Sequence, residues 1–125
     1  MLLLGTEDPI MPLEGGKPGL KGTKSSSVLS AVDTVETWLR YLGLPSDLQV
    51  IELPDCVLDD RSTVSRMIYT DGEASLWCYQ VNGGGHAWPG MEPYSRIERQ
   101  ANGYKNQDVQ AVDEAWRFFQ NSIEN

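Results

Sequence analysis

Histidine is nearly absent from this chain: His86 is the only one in 125 residues. Cysteine is almost as scarce, and Cys56 and Cys78 are spaced for no metal motif. One imidazole and two thiols are too few soft ligands for a structural zinc site, so no metal or cofactor is expected. The pair is compatible with one disulfide or with two buried thiols, and the apolar setting of Cys78 favours thiols. Positive charge is also in short supply. Ten Lys and Arg stand against eighteen Asp and Glu, a net charge of −8 that repels phosphate backbones and anionic headgroups, which argues against nucleic-acid and membrane-surface partners. No apolar run approaches the length of a membrane span. Met1-Leu2-Leu3-Leu4 is too short, and lacks the basic start and cleavage site, for a signal peptide. There is no internal repeat and no low-complexity segment.

What is present is a packed globular composition, 40% apolar with four Trp and five Tyr, enough for one domain. The single histidine stands in Gly83-Gly84-Gly85-His86-Ala87-Trp88-Pro89-Gly90. Glycine adopts backbone angles closed to other residues and lets other groups approach closely, and the proline fixes the exit of the turn. Such a loop can hold an imidazole at one angle, as a general base requires. A solvent-exposed turn residue is the plainer reading of the same composition.

Taken in order, residues 1–4 read as a buried parallel strand, uninterrupted by polar groups and stopped at Gly5. The loop that follows carries Asp8 just past the strand end, where open α/β sheets bind ligands; an Asp-Pro turn starter is the alternative. Residues 16–27, rich in Gly, Lys, Pro and Ser, read as a flexible surface connection. A helix is predicted from about Ser30 to Leu42, with Val32, Val35, Leu39 and Leu42 as its apolar stripe, Ser30 with Asp33 as a cap, and Gly43 as its stop. Leu48 to Leu53 is ambiguous, compatible with a short strand. Thr63–Tyr69 and Ser75–Val81 form a predicted hairpin about Asp71-Gly72, the second strand apolar on both faces and hence central. After a polar stretch from Met91 to Asn106, a last helix is expected over Asp108–Ile123, with Val109, Val112, Trp116, Phe119 and Ile123 on one face.

An acid after one strand and a histidine after a later one is the order of the last two members of a Ser-Asp-His triad in α/β-hydrolases. Gly5-Thr6-Glu7-Asp8-Pro9-Ile10-Met11-Pro12 resembles the HGTxDPxVP segment that carries the catalytic Asp of these enzymes. Residues 83–90 resemble the GGGHxWPG segment of the polyhydroxybutyrate depolymerase and feruloyl esterase-like branch, which includes the LpqC-type esterases. The closing Asp-Val-Gln-Ala-Val-Asp-Glu-Ala-Trp-Arg-Phe-Phe pattern suits the same branch. The resemblance covers nearly all of the chain but only the carboxyl-terminal half of the family's domain. It implies a partial α/β-hydrolase fold, a mostly parallel sheet with a hairpin, and a small-molecule or polymeric ester as substrate. It implies catalytic roles for Asp8 and His86, with Trp88 lining the acyl or aromatic pocket or buttressing the loop.

The chain departs from that family where the nucleophile belongs. No serine sits in a Gly-x-Ser-x-Gly elbow, Ser25, Ser26 and Ser27 lie in the flexible run, Ser30 is better used as a helix cap, and the oxyanion-hole segment is missing. Leu4 also replaces the His or Asn that usually precedes Gly5, which bears on how Asp8 is aimed. The expectation is therefore a fragment, natural or truncated, that is inactive alone and either self-associates or pairs with an amino-terminal half. A non-catalytic remnant or assembly domain is the alternative, and chemistry by His86 with a local serine a third. Family members are often exported, and the ester is not specified by these residues.

Overall fold

The structure, a computed structural model, describes residues 1–19, 27–90 and 92–123, with the side chain of Ile123 excluded. The greater part of the connection expected over residues 16–27, including Ser25 and Ser26, lies outside the described residues.

The architecture is α/β: a four-stranded mixed sheet and three helices. In chain order these are β1 (Leu2–Gly5), α1 (Ala31–Leu42), β2 (Gln49–Glu52), β3 (Thr63–Thr70), β4 (Ser75–Asn82), α2 (Arg96–Asn102) and α3 (Ala111–Ile123). The strand order is β1-β4-β3-β2. β1 runs parallel to β4, with Leu2 opposite Cys78 and Gly5 opposite Val81. The other two pairings are antiparallel, so the mostly parallel sheet implied by the resemblance is here mixed, with one parallel pair.

β4 is central, as its two apolar faces require. Leu76 and Cys78 pack with Leu39, Leu44 and Tyr69 on the α1 side, while Trp77, Tyr79 and Val81 pack with Val64, Val109 and Phe118 on the α3 side. Three layers result, with the core divided by the sheet. Burial pushes the Cys78 thiol up to about 11 and, with the hydrogen bond to Glu114, the Tyr79 hydroxyl up to about 12. The hairpin turn spans the four residues 71–74, which include the expected Asp71-Gly72. The Asp71 carboxylate accepts from the N–H groups of Ala74 and Glu73, and these two bonds hold its carboxyl below the usual range.

α1 starts as its sequence directs: the Ser30 side chain accepts from Asp33 N at 3.0 Å, and Gly43, at φ 71°, donates to Leu39 O. Its predicted stripe is only half used. Leu39 is buried and Val35 packs beside it, but Val32 and Leu42 are exposed, Val32 at 67%. α3 begins at Ala111, three residues later than predicted, and it turns a different face inward. Glu114 and Phe118 meet the sheet and Ala111 is buried, whereas Val112, Trp116 and Phe119 of the predicted stripe are exposed.

The cause is electrostatic. Glu114 accepts from Tyr79 Oη at 2.5 Å, Arg117 at 2.7 Å and Arg66 at 3.3 Å, and a buried carboxylate with three donors fixes the helix rotation. Apolar periodicity alone assigns such a residue to the outside. α2 lies within the polar stretch of residues 91–106, to which the sequence pattern assigns no element. Its Ser95 and Glu98 form a capping box, a Ser-x-x-Glu signal that was legible in the sequence. Both cysteines are free, with Cys78 buried but Cys56 exposed, so only one of the two expected buried thiols is buried. Among the described residues no helix is long and apolar enough to cross a membrane.

Candidate functional site

The parallel pairing of β1 with β4 brings their carboxyl ends to one rim, and the loops leaving that rim are stitched together. Thr6 N donates to Val81 O at 3.0 Å, Gly83 N to Thr6 Oγ1 at 2.9 Å and Glu7 N to Gly84 O at 2.9 Å. This approach depends on missing side chains. A Cβ on Gly5 would lie 2.5 Å from Gly84 O and 2.6 Å from Gly85 O, distances that real side chains do not tolerate.

Residues 102–106 hold the histidine loop from its other side. Gly85 N donates to Tyr104 O at 2.7 Å, His86 N to Asn102 O at 2.6 Å and Gly90 N to Asn106 O at 2.7 Å. A side chain on Gly85 would collide with the Asn102 carbonyl. The clamp is anchored in turn by a buried polar network. Asn106 donates to Ser62 Oγ and to Asp108, Asp60 accepts from Ser62 and from Gln107 N, and Asp108 Oδ1 accepts from the N–H groups of Cys56 and Val57. Sequence reasoning missed this support, because backbone acceptors and buried Asn or Asp residues leave no periodic trace.

Within this frame His86 Nδ1 lies 2.8 Å from Asp8 Oδ2. The other oxygen of the carboxylate, Oδ1, accepts from Ile10 N and Met11 N, both at 2.8 Å. Asp8 is thus both the turn starter and the partner of the histidine, with one oxygen for each. Leu4 before Gly5 does not misdirect it. The carboxylate side chain is 9% exposed and the imidazole 47%. An ionised carboxylate can only accept, so the proton between them belongs to Nδ1, and Nε2 is the basic nitrogen of the neutral ring.

His86 borders a cleft of about 400 Å³ that runs along β1 from Leu3 and Leu4 past Asp8, with Met11, Trp88 and Tyr94 among its walls. Trp88 is 62% exposed there, and the backbone of residues 102–106 supports the loop. No serine lines the cleft among the described residues, and Thr34 at its margin donates its hydroxyl to Ser30 O. Ser30 is committed to capping α1, where its hydroxyl also donates to Asp33. The structure therefore brings Asp8, His86 and Trp88 to one cleft and brings no candidate nucleophile to it among the described residues. Likewise, no group of three or more His, Cys, Asp or Glu suited to a metal ion occurs among the described residues. Comparison of the chain with protein-family models, curated proteins and solved structures finds no match in any of the three.

Proposed function

We propose that the chain is the acid-and-histidine part of a serine carboxylesterase of the polyhydroxybutyrate depolymerase or feruloyl esterase type, acting with a nucleophile carried by another segment. The observation that carries this reading is the Asp8–His86 contact of 2.8 Å, made from the carboxyl ends of two adjacent parallel strands. In this mechanism His86 Nε2 takes the proton of a serine hydroxyl as that oxygen attacks an ester carbonyl, then returns it to the departing alcohol. Asp8 keeps Nδ1 protonated and stabilises the imidazolium. Trp88 offers an apolar wall for an acyl or aromatic group beside the imidazole.

The residues are then the carboxyl-terminal portion of an α/β-hydrolase domain, and the missing half and a second copy are the candidate partners. β1 is an edge strand, and Val112, Trp116 and Phe119 on α3 are exposed, which favours association. A stable monomer in sedimentation at high concentration would count against it. The absence of a serine from the cleft among the described residues favours a second reading, a non-catalytic remnant or assembly domain that keeps the loops for their packing.

The test is hydrolysis of p-nitrophenyl acetate by the chain alone and by the chain mixed with the amino-terminal half of an esterase of that family. Turnover that appears only in the mixture and disappears with His86→Ala supports the proposal. Turnover by the chain alone points to a local nucleophile, and none in either points to the remnant.

A further inference from the structure

A second cluster shares no residue with the lining of the cleft. Arg96 and Arg99, one turn apart on α2, line a separate depression of about 370 Å³ with Gln100 and Tyr104. The Arg99 guanidinium carbon lies 5.6 Å from the centroid of the Tyr104 ring, so one fork is braced against an aromatic face. Arg61 joins from the loop before β3, 5.3 Å from the same centroid, and its Nη1 donates to Tyr104 Oη at 2.9 Å. That bond uses a lone pair of the phenol and leaves its O–H free to donate.

Two of the six arginines, Arg61 and Arg99, meet at Tyr104, and Arg96 lines the same depression as Arg99 and Tyr104, in a protein of net charge −8. None of the three is ion-paired, because all three ion pairs of the described residues lie elsewhere. The acid nearest in sequence, Glu98, is occupied by Ser95 N at 2.8 Å. Arg61 is also the one non-glycine among the described residues with positive φ, at 63°. It is held there by its buried neighbours Asp60 and Ser62, which hydrogen-bond to each other. Two guanidinium groups on one tyrosine ring, a third arginine in the same depression and a phenol O–H free to donate present positive charge and hydrogen-bond donors that suit an oxyanion.

We infer that Arg96, Arg99 and Tyr104, supported by Arg61, form a binding site for a compact oxyanion, a phosphate or a carboxylate. The site uses neither Asp8 nor His86 and stands whether or not the esterase reading does.

Titration of the ¹⁵N-labelled chain with inorganic phosphate and, separately, with acetate at constant ionic strength tests it. Saturable shifts confined to Arg96, Arg99, Gln100 and Tyr104 are expected, and the anion that saturates first assigns the source as phosphate or carboxylate. Arg99→Gln keeps helix propensity and the exposed surface, and is expected to weaken binding about tenfold or more, the worth of one charge-assisted contact. Arg99→Lys keeps the charge but loses the braced fork, and is expected to weaken binding as well. Failure of both anions to saturate, or wild-type affinity in either variant, overturns the assignment.

Discussion

Replacing Asp8 by Asn should move a proton from one side of the His86 ring to the other. Oδ1 of residue 8 is committed to Ile10 N and Met11 N, both at 2.8 Å, and an amide oxygen fills that role as well as a carboxylate oxygen. The Asn NH₂ must then face Nδ1, where the wild-type chain has an acceptor. Two donors cannot share one hydrogen bond, so the neutral ring gives up Nδ1–H, takes Nε2–H and accepts from the amide. A hydrogen bond to a charged group contributes about 1.5–3 kcal/mol, and the 47% exposure of the imidazole places this one at the lower end through solvent screening. About 1.5 kcal/mol is roughly a tenfold preference for Nδ1–H in the wild-type chain. Because the chain has one histidine, long-range ¹H–¹⁵N correlation at alkaline pH reads the tautomer from a single ring with no assignment problem. The expected outcome is predominant Nδ1–H in the wild type and predominant Nε2–H in Asp8→Asn. A wild-type ring that already carries its proton on Nε2, or a variant spectrum unchanged from wild type, would refute the orienting role given to Asp8. The same swap would abolish the basic nitrogen that the proposed mechanism needs.

Three further outcomes can be measured in urea or by thermal melting. Gly85→Ala drives a methyl group into the Asn102 carbonyl and should cost about 1–3 kcal/mol, with the His86 ring signals shifted because the clamp must yield. Glu114→Ala leaves the Arg66 guanidinium and the Tyr79 hydroxyl without their buried acceptor, and a loss of about 3–5 kcal/mol is expected; a loss below about 1 kcal/mol would mean the cluster does not set the rotation of α3. Stability should also fall at alkaline pH. Cys78 and Tyr79 have folded values raised above their ordinary ones, so their contribution is complete below about pH 9 and is lost as pH rises through about 11 to 12. A melting temperature that stays flat from pH 8 to pH 11 would contradict the burial assigned to them.

The local elements could be read from neighbouring residues. Ser30, Asp33 and Gly43 delimit α1, the two apolar faces of residues 75–81 place that strand at the centre, and the glycines beside His86 mark a loop that admits close approach, since each signal acts within a few positions of chain. α2 was legible too, through Ser95 and Glu98, but its polar surroundings masked it. Which stripe of α3 faces the sheet was not legible. Residues 111, 114 and 118 and residues 112, 116 and 119 satisfy helical spacing equally well, and only the arrival of Arg66 and Tyr79 from the sheet makes burial of Glu114 favourable over burial of Trp116. The same division holds at the site. Residue types and order made Asp8 and His86 candidates, but the 2.8 Å between them is set by the parallel register of β1 on β4 and by the carbonyls of residues 102–106. Contacts across 78 positions of chain depend on where distant segments dock, and no local pattern encodes that.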